Sequence, residues 1–161
     1  MLRAKTLGLG TPRFERGREM LVAGLNRTYD MNTRVQIPQQ WERFAGYFGK
    51  IPTQIGTTTF GVVWNNKPDC VFDYLTCAEV QDAAGLPTEF TRLTLPAGRF
   101  VVVTHSGPIA KYPETLAKIW TNWIPESGLF VDDRPCVEVY DERFDPRTGT
   151  GDVDLWIPLK D

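Results

Sequence analysis

Ile37-Pro38-Gln39-Gln40-Trp41-Glu42-Arg43-Phe44-Ala45-Gly46-Tyr47-Phe48 is the stretch that decides how the chain is read. Pro38 suits a first helical position, where its missing N–H costs nothing. Trp41, Phe44, Ala45 and Phe48 follow at the i, i+3, i+4, i+7 spacing of one helix face, and Gly49 can close the helix. On its N-terminal side Met20, Leu21, Val22, Ala23 and Leu25 read as a strand carrying Gly24, within residues 18–29. On its C-terminal side residues 58–64 and 71–80 are β-rich and are joined by the turn Asn65-Asn66-Lys67-Pro68-Asp69. This half reads β-α-β-β. Residues 1–17 hold no periodic pattern and read as a loose lead-in.

The same order recurs. Residues 99–106 are a Val-rich strand, and Lys111-Tyr112-Pro113-Glu114 opens a helix. Superimposing Pro113 on Pro38 places Leu116, Ile119, Trp120 and Trp123 on Trp41, Phe44, Ala45 and Phe48 without a gap. Residues 135–140 and 152–158 supply the closing strands, separated by an Asp/Gly/Pro-rich loop over 141–151. We read an internal duplication within one domain spanning 1–161. The first half-unit runs over about 18–80, the bridge over 81–98 and the second half-unit over 99–160.

Composition removes most of the usual chemistry. The chain has 161 residues, a net charge of −2, one histidine (His105), two serines (Ser106 and Ser127) and three cysteines. Near-neutral charge argues against a polyanion partner, because affinity for nucleic acid rests on Lys and Arg neutralising phosphates. No apolar run is long enough for a membrane span, and no secretion signal opens the chain. Reduced thiols in the cytoplasm are therefore expected, with no disulfide framework and no zinc set. His105 and Ser106 are neighbours on one strand and face opposite ways, so they form no catalytic pair. His105 is expected to meet a backbone group or solvent.

Strand alternation suggests where a ligand could sit. Val137 and Val139 share a face, as do Val153, Leu155 and Ile157, and that apolar face is expected to receive the second helix. The other face is expected to carry Cys136, Glu138 and Tyr140 beside Asp154 and Trp156. Glutamate is depleted in strands and costly to bury without a partner. From spacing alone two readings of Glu138 stand. In one it meets a cationic guest among aromatic rings, with its pKa raised by desolvation when empty. In the other it is a surface residue paired across strands with Arg or Lys.

Leu95-Pro96-Ala97-Gly98-Arg99-Phe100, His105-Ser106-Gly107, Trp123-Ile124-Pro125-Glu126-Ser127-Gly128, Pro135-Cys136-Val137-Glu138-Val139-Tyr140 and Ile157-Pro158-Leu159-Lys160 together resemble the GyrI-like small-molecule-binding domain. This is the same domain as the AraC-type effector-binding domain of multidrug-responsive regulators. Val22-Ala23-Gly24-Leu25 and Phe72-Asp73-Tyr74 extend the resemblance into the first half. It implies an α+β fold of two β-α-β-β units about a pseudo-twofold axis, with an antiparallel sheet, two main helices and a ligand groove between the halves. It also implies a pocket acid at Glu138 and a second lining residue at Tyr74. Trp64, Phe100, Trp120, Tyr140 and Trp156 complete the candidate ligand set. Val137 departs from the family, where an aromatic residue often precedes the glutamate.

No helix-turn-helix pattern precedes Arg18, so a stand-alone sensor or sequestering protein for a lipophilic cationic compound is expected, with a place in transcription regulation or drug resistance. No cofactor, metal or direct contact with nucleic acid is expected. A protein partner or a second copy of the chain remains an option. Two other functions compete. One is a GyrI-like hydrolase of strained electrophiles with Glu138 as general base. The other is an interaction module of the gyrase-inhibitor type.

Overall fold

The computed structural model describes residues 8–161, and its strands form one nine-stranded antiparallel sheet. The strands are β1 (Arg13–Gly17), β2 (Met20–Tyr29), β3 (Gln54–Lys67), β4 (Val71–Val80), β5 (Thr91–Leu95), β6 (Gly98–Pro108), β7 (Cys136–Tyr140), β8 (Phe144–Asp145) and β9 (Thr150–Pro158). Their spatial order is β1-β6-β9-β7-β3-β4-β2-β5, with β8 added on β9. Helix α1 (Ile37–Ala45) follows β2. A second helical rod follows β6, made of α2 (Tyr112–Ala117), a π-helical segment (Lys118–Trp123) and α3 (Ile124–Ser127). The β-α-β-β order read from the sequence is present twice, as β2-α1-β3-β4 and β6-α2-β7-β9. No helix among the described residues is long and apolar enough to cross a membrane.

The two halves meet where β3 pairs with β7, with Val62 opposite Val137. Outward from that line the strands run β3-β4-β2-β5 on one side and β7-β9-β6-β1 on the other, as a pseudo-twofold axis requires. Side chains repeat with the backbone. Thr28 lies opposite Asp73 and donates to it at 2.5 Å; Thr104 lies opposite Asp154 and donates to it at 2.6 Å. One residue further on, Tyr29 bonds to Gln40 of α1 at 2.6 Å, and His105 bonds to Thr115 of α2 at 2.7 Å. The other ring nitrogen of His105 meets the Pro108 carbonyl at 2.9 Å. A carbonyl can only accept, so Nε2 carries the proton and the lone histidine is a structural tie between strand and helix.

Three readings from sequence need correction. Residues 13–17, read as lead-in, form β1, whose five residues all pair with β6; residues 1–7 of that lead-in lie outside the described residues. The loop over 141–151 contains the short strand β8. The assignment of strand faces also fails, because Val137 lies opposite Trp156 and Glu138 lies opposite Leu155. Alternation fixes the faces within one strand, but only the pairing register fixes how neighbouring strands align. Trp156 and Asp154 thus share the face of Val137 and Val139, while Glu138 shares the helix-covered face with Leu155.

Each helix buries one stripe on that face. Phe44 of α1 is fully buried with Ala23, Leu25, Ile51, Ala78 and Val80, whereas Ala45 and Phe48 are exposed and Gln40 is buried in their stead. The helix ends at Ala45, before the expected stripe is complete. In the second rod Ile119 and Trp123 pack on Val101, Val103, Leu155 and Ile157. Pro125 lacks the N–H that would bond the Thr121 carbonyl, and the preceding turn widens to a π-helix. Ile119 and Trp123 then fall together on the core side and Trp120 is left exposed.

Candidate functional site

Glu138 occupies the middle of β7, beside the seam between the halves, and is 5% exposed. The Tyr74 hydroxyl, from β4 of the first half, donates to Glu138 Oε1 at 2.5 Å. The Tyr140 hydroxyl, two residues along β7, donates to the same oxygen at 3.2 Å. Trp41 of α1 closes the arrangement: its indole N–H donates to the Tyr74 oxygen at 3.0 Å, and its ring meets Tyr140 edge-on at 4.8 Å. Tyr112, at the start of α2, is buried, and its hydroxyl also lies against the Glu138 carboxylate. Three of the five tyrosines of the chain therefore surround one carboxyl group. Both halves contribute, and the cluster lies between the two helices.

Gly61 makes this convergence possible. It faces Glu138 across the β3–β7 pair, and a Cβ there would run into both the Tyr74 hydroxyl and Glu138 Oε1. A side chain on Gly61 would occupy the space where the two polar groups meet.

The electrostatics follow from burial without a counter-ion. Among the described residues no Lys or Arg pairs with Glu138, which removes the cross-strand ion pair as an account of it. Burial pushes its carboxyl above the ordinary range, and the facing tyrosine hydroxyls offset only part of that. Burial, and next the Glu138 charge, hold the hydroxyls of Tyr74, Tyr112 and Tyr140 well above 10, so they remain donors. The same two causes push the Cys136 thiol up to about 12, which leaves no thiolate nucleophile there. What remains is a carboxylate in an aromatic cage, a chemistry suited to a cation.

The seven residues expected from sequence divide among separate places. Glu138, Tyr140 and Tyr74 converge as described. Phe100 and Trp156 lie on the opposite face of the sheet, packed edge-on at 5.4 Å. There the sheet curls until Leu95 of β5 and Arg13 of β1, from its two ends, line one cavity of about 620 Å³ over Phe60, Val137 and Val139. The arginines at its mouth are already engaged, Arg18 by Glu79 and Arg13 and Arg143 by Asp154. Trp64 is on this face too, bonded to Asn26 at 3.0 Å. Trp120 stands on the outside of the second rod, 39% exposed. Trp41, Tyr112 and Gly61 were not singled out from sequence. Trp41 reads there as a core position on a helix, and Tyr112 is visible only as the residue before a helix-opening proline.

Comparison with known proteins places this geometry. Residues 10–160 match the family described as the GyrI-like small molecule binding domain. The transcriptional regulator BrlR of Pseudomonas aeruginosa is 30% identical over 124 residues, covering 76% of this chain and 46% of that protein. The chain thus spans about half the length of this curated relative. Among solved structures, SAV2435 bound to tetraphenylphosphonium superimposes with a TM-score of 0.76 at 16% identity, over 94% of each chain. A hydrolase from Listeria innocua superimposes with a TM-score of 0.56 at 14% identity, over 93% of this chain and 92% of that one. The curled antiparallel sheet and paired helices are common ground with these structures, and with the match over nearly its whole length the chain belongs to the family of GyrI-like small molecule binding domains.

Proposed function

We propose that the protein binds a lipophilic cation at Glu138 and acts in the cytoplasm as an effector sensor or a sequestering protein. One observation carries this reading: a buried carboxylate held by tyrosine hydroxyls, with no Lys or Arg paired to it among the described residues. Such a group is costly in the empty protein and is relieved by a positive charge. The rings of Trp41, Tyr140 and Tyr74 add cation–π attraction worth roughly 0.5–2 kcal/mol per well-placed ring. The tetraphenylphosphonium held by SAV2435 and the regulatory role of BrlR support the same class of ligand and use.

The test is a calorimetric titration with tetraphenylphosphonium, paired with tryptophan fluorescence. Binding with quenching is expected, and Glu138→Gln should abolish both. Unchanged affinity in that variant overturns the assignment. A hydrolytic reading draws on the close Tyr74–Glu138 pair, where a carboxyl of raised proton affinity could serve as general base, and on the fold shared with the Listeria hydrolase. Multiple turnovers of a strained cyclopropane substrate, lost in Glu138→Gln, would establish it.

A further inference from the structure

The row of strands closes on itself. β1 runs into β2 through Arg18 and Glu19, and β5 runs into β6 through Pro96 and Ala97. Gly17 pairs with Gly98, and three residues on, Met20 pairs with Leu95, three residues back, so one antiparallel register carries through both ladders. The hydrogen-bonded circuit returns through β4, β3, β7 and β9, which makes the face away from the helices the inside of a β-barrel. Part of that inside is filled by the chain and part is not. Along β3 Val62 is fully buried, whereas Phe60 and Thr58, two and four residues back on the same face, border the cavity of about 620 Å³. Along β7 Val137 is buried, and Val139 is only partly so.

The cavity lining carries six charged side chains, and all six pair among themselves. Arg18 meets Glu79 at 2.7 Å, Arg13 meets Asp154 at 2.9 Å, and Arg143 meets Asp141 at 2.9 Å and Asp154 at 2.8 Å. This is the reverse of Glu138, which no Lys or Arg meets. A charged guest would have to break one of these charge-assisted pairs, whereas an uncharged one leaves them all intact. The aromatic wall also stands ready. Phe100 packs edge-on against Trp156, the Arg134 guanidinium lies over its ring at 4.9 Å, and Gly17 backs it so closely that a Cβ there would come within 2.6 Å of the ring. A wall already fixed costs little to order when a guest arrives.

We propose that this barrel mouth is a second ligand site, for an uncharged aromatic compound. It lies back to back with the cation site, since Val137 and Val139 face the cavity from the strand that carries Glu138 on its other face. Its volume falls in the range of roughly 300–1,000 Å³ usual for small-molecule sites, and barrel mouths are a common place for them. The proposal stands on the cavity alone and goes beyond binding at Glu138.

The experiment titrates the whole chain with N-phenyl-1-naphthylamine, uncharged at neutral pH and brighter in apolar surroundings. Saturable binding of one molecule per chain is expected, with a Kd on the order of 10–100 µM, from the usual affinity per non-hydrogen atom. Thr58→Trp places a large ring in the mouth from a stretch, 55–58, that lies outside both ladders of β3. It should weaken the probe about tenfold or more, while Glu138→Gln leaves it unchanged. Photolabelling of the wild type with benzophenone, read by peptide mass spectrometry, locates the site without a variant, and the adduct should fall on Met20 or another residue of the cavity lining. No saturable binding, an adduct at Trp41 or Tyr140 or elsewhere outside the cavity, or a probe lost in Glu138→Gln but kept in Thr58→Trp overturns the second site. None of these results bears on the cation site, which its own titration decides.

Discussion

Burial raises the proton affinity of Glu138, and this fixes the sign of a pH effect on folding. A carboxyl whose folded pKa lies above its ordinary 4.5 holds its proton more tightly in the folded chain than in the unfolded one. Its contribution to stability therefore improves as the pH falls through the folded value, and it levels off below 4.5. At pH 7 the charged group opposes folding, so Glu138→Gln should melt higher than the wild type. Each kcal/mol gained would appear as about 2–4 °C for a chain of this length. The gap should close as the pH is lowered toward 4.5, and melts over that interval check it. Gly61→Ala works in the opposite direction. Its new methyl meets groups that are held from two strands, and overpacking of this kind costs about 1–3 kcal/mol, read from a urea midpoint. Cation binding should fall with it. Glu138 was legible in the sequence because a glutamate amid β-branched neighbours violates strand preference. Trp41 and Tyr112 were not, because an aromatic residue on a helix face looks the same whether it caps a core or a ligand site.

Helix α1 buries one ring completely, Phe44, and is tied to the sheet by the Trp41 indole and by the amide of Gln40, which donates to the carbonyls of Leu25 and Tyr74. Phe44→Ala should lower stability by about 3–5 kcal/mol by leaving a cavity under the helix. It should also loosen Trp41, three residues earlier, so that the fluorescence change on binding a cation shrinks. The proline-opened helices and the order of strands could be read from the chain, since helical spacing and β-branched runs are local signals. Register could not. The faces of β7 and β9 depend on which residues lie opposite each other, and a slip of one residue reverses every face. For the same reason β1 escaped notice: five residues with one exposed phenylalanine carry no alternation, and only a distant partner makes them a strand.

At the scale of the whole molecule, the two halves exchange their leading strands. β1 precedes β2 in the chain yet pairs with β6 of the second half, while β5 precedes β6 yet pairs with β2 of the first. Arg13 of β1 reinforces this by bonding Asp154 of β9 at 2.9 Å. Neither half can complete its own sheet, and each leaves an apolar face uncovered when alone. Fragments 1–80 and 81–161 should therefore be unfolded separately, and should recover β structure and cation binding when refolded together. Circular dichroism and gel filtration follow both steps; a folded monomeric half would contradict the exchange. The exchange also imposes an order in time. Arg13 finds its partner only at Val102, so at about 5–20 residues per second a ribosome leaves β1 waiting on the order of 5–20 s. β1 alone is left waiting, and the newborn chain must keep its opening strand from other partners until the middle of the protein has emerged.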